Sequence, residues 1–69
     1  MASTPLCLLD RATLDRGDLD LTPLERVGAL TTYDATPPDA VAARIRDAEV
    51  VITNKVVLGA AELDAAPRL

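Results

Sequence analysis

The pattern of apolar and polar positions divides the chain into short apolar runs separated by capped, polar-striped segments. The first run, residues 6–9, is apolar at four consecutive positions, begins after Pro5 and stops at Asp10. A run that is apolar on both faces suits a central strand of a parallel sheet, where both faces are covered. Residues 10–20 break the pattern. Asp10, Arg11, Asp15, Arg16 and Asp18 surround Gly17, which predicts a surface loop with Leu14 and Leu19 turned inward. Thr22, Pro23, Leu24 and Glu25 then form a helix start, with the Thr hydroxyl accepting from an early N–H, Glu25 reaching back, and Pro at the first helical position. Gly28 is expected just past the end of that helix in the left-handed conformation, which limits the helix to residues 22–27.

A second strand is predicted at residues 29–33. Thr36, Pro37, Pro38 and Asp39 repeat the start signal, and the helix they open carries Val41, Ile45 and Ala48 on one stripe while Arg44, Arg46 and Asp47 fall on the solvated side. Val50, Val51 and Ile52 form a β-branched triplet, the strongest strand signal in the chain, within a third strand over residues 49–53. A last helix is expected at residues 60–65, begun from Gly59 and stopped by Pro67, with Arg68 and Leu69 opening a further strand. The order is strand, helix, strand, helix, strand, helix. It predicts an α/β fold: a three-stranded parallel sheet with right-handed crossovers and flanking helices, the first strand in the middle, in the order 2-1-3.

Length and composition narrow the picture. With 69 residues the chain holds at most one domain or part of one, so no internal boundary is drawn. Twelve of its apolar residues are Ala and Tyr33 is its one aromatic residue, so the core must be small. A net charge of −4 disfavours nucleic acid as a partner. One cysteine and no histidine exclude a disulfide framework, Cys/His zinc sites and His-based catalysis within the chain. No apolar stretch is long enough for a membrane span, and the first nine residues lack the basic start of a secretory signal, so the expected location is cytoplasmic.

Ligands of open α/β sheets bind at the carboxyl ends of the strands, which directs attention to residues 10–13, 34–36 and 53–57. Asn54 and Lys55 follow a fully apolar strand at once and put an amide and an ammonium at that edge; Lys55 is the single lysine beside six arginines. They read either as a solvated turn or as a contact for a substrate anion, and the spacing alone leaves both open. Asp10 resembles the acidic edge of a phosphoacceptor receiver domain, but Thr53 and Asn54 stand where such a domain needs a further Asp. A carboxylate pairing with Arg11 or with a backbone N–H is the better account of it. Cys7 reads as a small buried hydrophobe and Tyr33 as a half-buried packing residue. Gly17, Gly28 and Gly59 do not form a dinucleotide fingerprint.

Several segments together resemble one family. LLDRATLDRGDLDLTPLERVG, LTTYDATPPDAVAARIRDAEVVITNKVVL and AAELDAAPRL are similar to the amino-terminal portion of NAD-dependent D-isomer-specific 2-hydroxyacid dehydrogenases, nearest to the glycerate dehydrogenase or hydroxypyruvate reductase branch. The resemblance covers the chain from Leu8 onward and rests on the ordered set LDRATL, YDxTPP and VITNKVVL. It implies that residues 1–69 are the amino-terminal part of a flavodoxin-like substrate (catalytic) domain, with the Rossmann cofactor domain outside this chain.

A full-length relative would use NAD or NADP on a small 2-hydroxy or 2-oxo acid, would be a homodimer, and would draw its catalytic Arg, Glu and His from outside these residues. The expectations that follow are no catalytic residue, metal ligand or cofactor-binding residue here, no activity alone, and Asn54 and Lys55 beside the substrate carboxylate. Gly59 departs from the Asp that relatives often place there. The rival reading is a free-standing α/β interaction or complementation module that binds another chain along its sheet edge; a small receiver-like domain is the third.

Overall fold

Strand β1, Thr4–Leu8, is the middle of a three-stranded sheet in a computed structural model that describes residues 4–69. Residues 1–3, part of the nine-residue stretch read as lacking the basic start of a secretory signal, lie outside the described residues. The short helices α1, Arg11–Leu14, and α2, Thr22–Glu25, lead to β2, Gly28–Thr32. A 3-10 turn at Pro38–Ala40 runs into α3, Val41–Ile45, and β3, Val50–Ile52, and α4, Ala60–Asp64, complete the order. The sheet order is β2-β1-β3 and both pairings are parallel, with Leu6 opposite Leu30 on one side and Val50 on the other. The result is a small α/β domain with helices flanking a parallel sheet, as the alternation of runs and stripes predicts.

The central place of β1 follows from its side chains. Successive residues of a strand point to opposite faces. Leu6, Cys7, Leu8 and Leu9 are all buried, so both faces at β1 are covered. Cys7 and Leu9 join Val41 and Ile45 of α3, Ala48 and Ala66 in one core, against which Tyr33, Val51, Val56 and Leu58 pack. The stripe Val41, Ile45, Ala48 is therefore the buried side of the α3 region. Backbone pairing continues past the strand ends: the Tyr33 N–H donates to the Leu8 carbonyl at 2.9 Å and the Leu9 N–H to the Ile52 carbonyl at 3.1 Å.

Several local expectations are corrected. β1 begins at Thr4 and runs through Pro5, where the sequence suggested a boundary. The Pro5 carbonyl accepts from the Glu49 N–H at 3.0 Å, so its ring nitrogen faces the β3 side one residue before β3 begins pairing, and no ladder bond is lost there. Residues 10–20 are not loop throughout but open with α1, and Leu14 and Leu19 point outward, 40% and 38% exposed. Thr22 is the first residue of α2 and not its side-chain cap; its N–H instead donates to Asp20 Oδ1 at 3.0 Å. The start before α3 likewise has no side-chain cap.

Gly28 does not end a helix. It lies in β2, where a Cβ would run into the Thr4 carbonyl oxygen, so glycine permits the close approach of β2 to β1. The glycine with positive φ is Gly17 (92°), in the turn where Asp15 Oδ1 accepts from the N–H groups of Gly17 and Leu19. Gly59 does precede α4 without a side-chain cap, and Arg68 and Leu69 form a turn and no strand. Among the described residues, no helix is long and apolar enough to cross a membrane.

Candidate functional site

The parallel strands end together, and the three loops beyond them enclose a cleft of about 440 Å³. Asp10, Ala12 and Thr13 line it from the first loop, Asp34, Ala35 and Thr36 from the second, and Lys55, Val56 and Val57 from the third. All three sheet-edge segments singled out in the sequence thus meet at one place. Pro38 and Val41 form part of the wall, and Glu62 of α4 completes it. Glu62 had no signal in the sequence beyond being acidic in the first turn of a helix. It lies in the first turn of α4 with its carboxylate close to Gly59, the residue before the helix: a Cβ on Gly59 would stand 3.3 Å from Oε2.

The first loop is tied to the second by backbone bonds. The Arg11 N–H donates to the Tyr33 carbonyl at 2.9 Å and the Ala12 N–H to the Asp34 carbonyl at 3.1 Å, so the four-residue α1 is anchored to the segment that follows β2 as well as by its own Asp15 N–H to Arg11 carbonyl bond. Thr36 extends the tie, its hydroxyl donating to the Leu9 carbonyl at 2.7 Å. Arg44 braces the same loop. Its guanidinium stacks 4.0 Å from the Tyr33 ring centroid and donates to the Ala35 carbonyl and to Thr36 Oγ1, both at 2.8 Å. That half-buried position corrects the expectation that Arg44 lies on the solvated side of its helix.

Asp10 is the centre of the third loop. Its side chain is buried, 3% exposed, and its carboxylate accepts backbone N–H bonds from Asn54 (2.9 and 3.1 Å), Lys55 (2.5 Å) and Val56 (3.3 Å). Burial pushes the Asp10 carboxyl up, but the N–H bonds from Lys55, Asn54 and Val56 outweigh it and hold the group below the usual carboxylate range. The pairing with backbone N–H groups, the plainer reading of this residue, is what the geometry contains. Arg11 pairs instead with Asp15 at 2.9 Å. The Thr53 hydroxyl closes the same turn, accepting from the Val56 N–H at 3.1 Å.

Asn54 and Lys55 part company here. The Asn54 amide donates to Thr13 Oγ1 at 3.2 Å and does not line the cleft, whereas Lys55 is exposed and is the one cation on its wall among the described residues. The other acidic groups on the cleft wall are Asp34 and Glu62, since Asp10 is occupied by amides. The cleft can therefore receive a small, largely apolar molecule with one anionic end. Cys7 is buried in the core, with its thiol pushed up by burial, partly offset by the charge of Arg44. Among the described residues, no three Asp, Glu or Cys side chains are grouped to hold a metal ion. Gly17, Gly28 and Gly59 belong to a turn, a strand and a helix start, and build no cradle for a pyrophosphate. The chain matches no model of a known protein family and no curated protein.

Proposed function

We propose that this chain is the amino-terminal part of the flavodoxin-like substrate domain of a D-isomer-specific 2-hydroxyacid dehydrogenase, and that its cleft takes the carboxylate end of a small 2-hydroxy or 2-oxo acid such as glycerate or hydroxypyruvate. The observation that carries this reading is Lys55, among the described residues the one cation on a cleft at the carboxyl ends of parallel strands. An ammonium there attracts a carboxylate as a point charge without fixed geometry. The short apolar walls leave room for a small substrate, and Asp34 and Glu62 disfavour a second anionic group on it. Hydride transfer to or from NAD or NADP, and the acid/base step, would fall to residues outside this chain, which has no His. Alone, the chain would bind and orient without turning over.

Lys55 touches the same substrate group before and during reaction, so its contribution is uniform binding. In the enzyme carrying this chain, Lys55→Met is expected to raise KM by about 5-fold to 30-fold, the equivalent of roughly 1–2 kcal/mol for an exposed charge contact, with little change in kcat. Unchanged KM for hydroxypyruvate would reject the reading; a large fall in kcat at constant KM would make Lys55 part of the chemistry.

A second reading, a module that accepts a strand from another chain, is favoured by β3, which ends the sheet and has no strand on its outer side among the described residues. It predicts retention of that partner by the Lys55→Met variant.

A further inference from the structure

The 53–56 loop has the form of an anion site: consecutive backbone N–H groups of Asn54, Lys55 and Val56 converge on one carboxylate. The anion belongs to the chain itself, 44 to 46 residues away at the end of β1. No basic side chain pairs with Asp10 among the described residues, so these amides are the main compensation for burying its charge. The amides in turn have no strand to pair with, because β3 stops at Ile52. Carboxylate and loop therefore order each other. The Lys55 ammonium has no ion-pair partner among the described residues, so its position on the cleft wall depends on where its backbone is held.

We propose that Asp10 is a positioning residue: it is the internal anion around which the loop is built, and through the loop it presents Lys55 to the cleft. The consequence for substrate rests on the reading of Lys55 as the anion contact; the consequence for the loop does not.

The test is amide hydrogen exchange, followed by NMR on the whole chain, in the native protein, Asp10→Ala and Asp10→Asn. In Asp10→Ala the Asn54, Lys55 and Val56 amides should exchange at least about tenfold faster, while the Leu9 and Tyr33 amides in the sheet ladder keep their protection. Sodium formate, which has the shape and charge of the missing carboxylate, should restore the loop amides in Asp10→Ala and leave the native protein unchanged. A residue needed only for packing would show no such response. Should Asp10→Ala fail to fold, Asp10→Asn decides, because it keeps the volume and one acceptor; faster exchange confined to the loop supports the proposal. Unchanged exchange in a folded variant, or a rise spread evenly over the sheet with no effect of formate, overturns it.

A parallel titration with D-glycerate, read at the Lys55 amide and side chain, separates the two levels. A formate-dependent loop without a glycerate response upholds the positioning of the loop and removes its role toward substrate. A glycerate response with a loop indifferent to Asp10 overturns the positioning and leaves the function standing.

Discussion

At the scale of single residues, Asp10 makes the stability of this protein depend on pH in one direction. Its carboxyl lies lower in the folded chain than the ordinary aspartate value of 3.8 that it takes in the unfolded one. Above that value both states are ionised and the stabilisation is fully present. As pH falls through 3.8 towards the lower folded value, the unfolded chain takes up the proton first and the stabilisation is lost. Asp15 and Asp20 are lowered too, Asp15 chiefly by the Leu19 N–H and Arg11, Asp20 by the Thr22 hydroxyl and N–H, so the acid loss is shared. Urea unfolding followed by circular dichroism from pH 6 to pH 3 should show a shallower acid loss in Asp10→Asn than in the native chain; an unchanged slope would remove Asp10 from the account. Thr22 is a contrasting case. Its side chain does not cap α2 and its hydroxyl meets only the exposed Asp20 carboxylate, so Thr22→Ala should change stability by less than about 0.5 kcal/mol, while Asp20→Ala, which removes the acceptor for the Thr22 N–H as well, should lower Tm further.

At the scale of elements, the helices are too short to stand alone and are held by what they cover. α3 has five residues, two of them buried, and Ile45 is fully buried against the core. Ile45→Ala should cost about 2–5 kcal/mol, a large part of the total stability of so small a domain, and leave much of the chain unfolded at 37 °C by circular dichroism. The exposed Arg46→Ala on the same segment should stay within about 0.5 kcal/mol. The elements legible in the sequence are those whose partners are hydrophobic: the two-faced apolar run of β1, the β-branched triplet of β3 and the Val41, Ile45, Ala48 stripe. α1 was not legible, because it depends on the Tyr33 and Asp34 carbonyls across the sheet edge. Gly28 carried a local signal for a helix end, but the close approach of β1 overrides it. At the site, the three loops were predictable from topology. That Asp10 would pair with a backbone N–H was legible as well; which N–H groups, those of Asn54, Lys55 and Val56, was not, since a backbone amide is the same at every residue type.

At the scale of the whole molecule, the fold is a slab with Cα extents of 33 × 32 × 13 Å, thin across one direction and with no strand on the outer sides of β2 and β3 among the described residues. Val50 on β3 is 39% exposed. An open edge with an apolar side chain is a template for pairing with another copy, and the net charge of −4 is what opposes it at neutral pH. Light scattering should therefore find self-association rising as pH approaches about 4.4, where that charge vanishes, and Val50→Lys should suppress it. The tie between Asp10 and the 53–56 loop has a further consequence, in time. It joins positions 44 to 46 residues apart, and it can close only after β3 has docked on β1. Closing so long a segment is entropically costly early in folding, so this contact belongs late on the route, after the rate-limiting barrier. Loss of the Asp10 carboxylate should then speed unfolding and leave the refolding rate nearly unchanged: the clamp acts as a latch on the finished molecule and takes no part in building it.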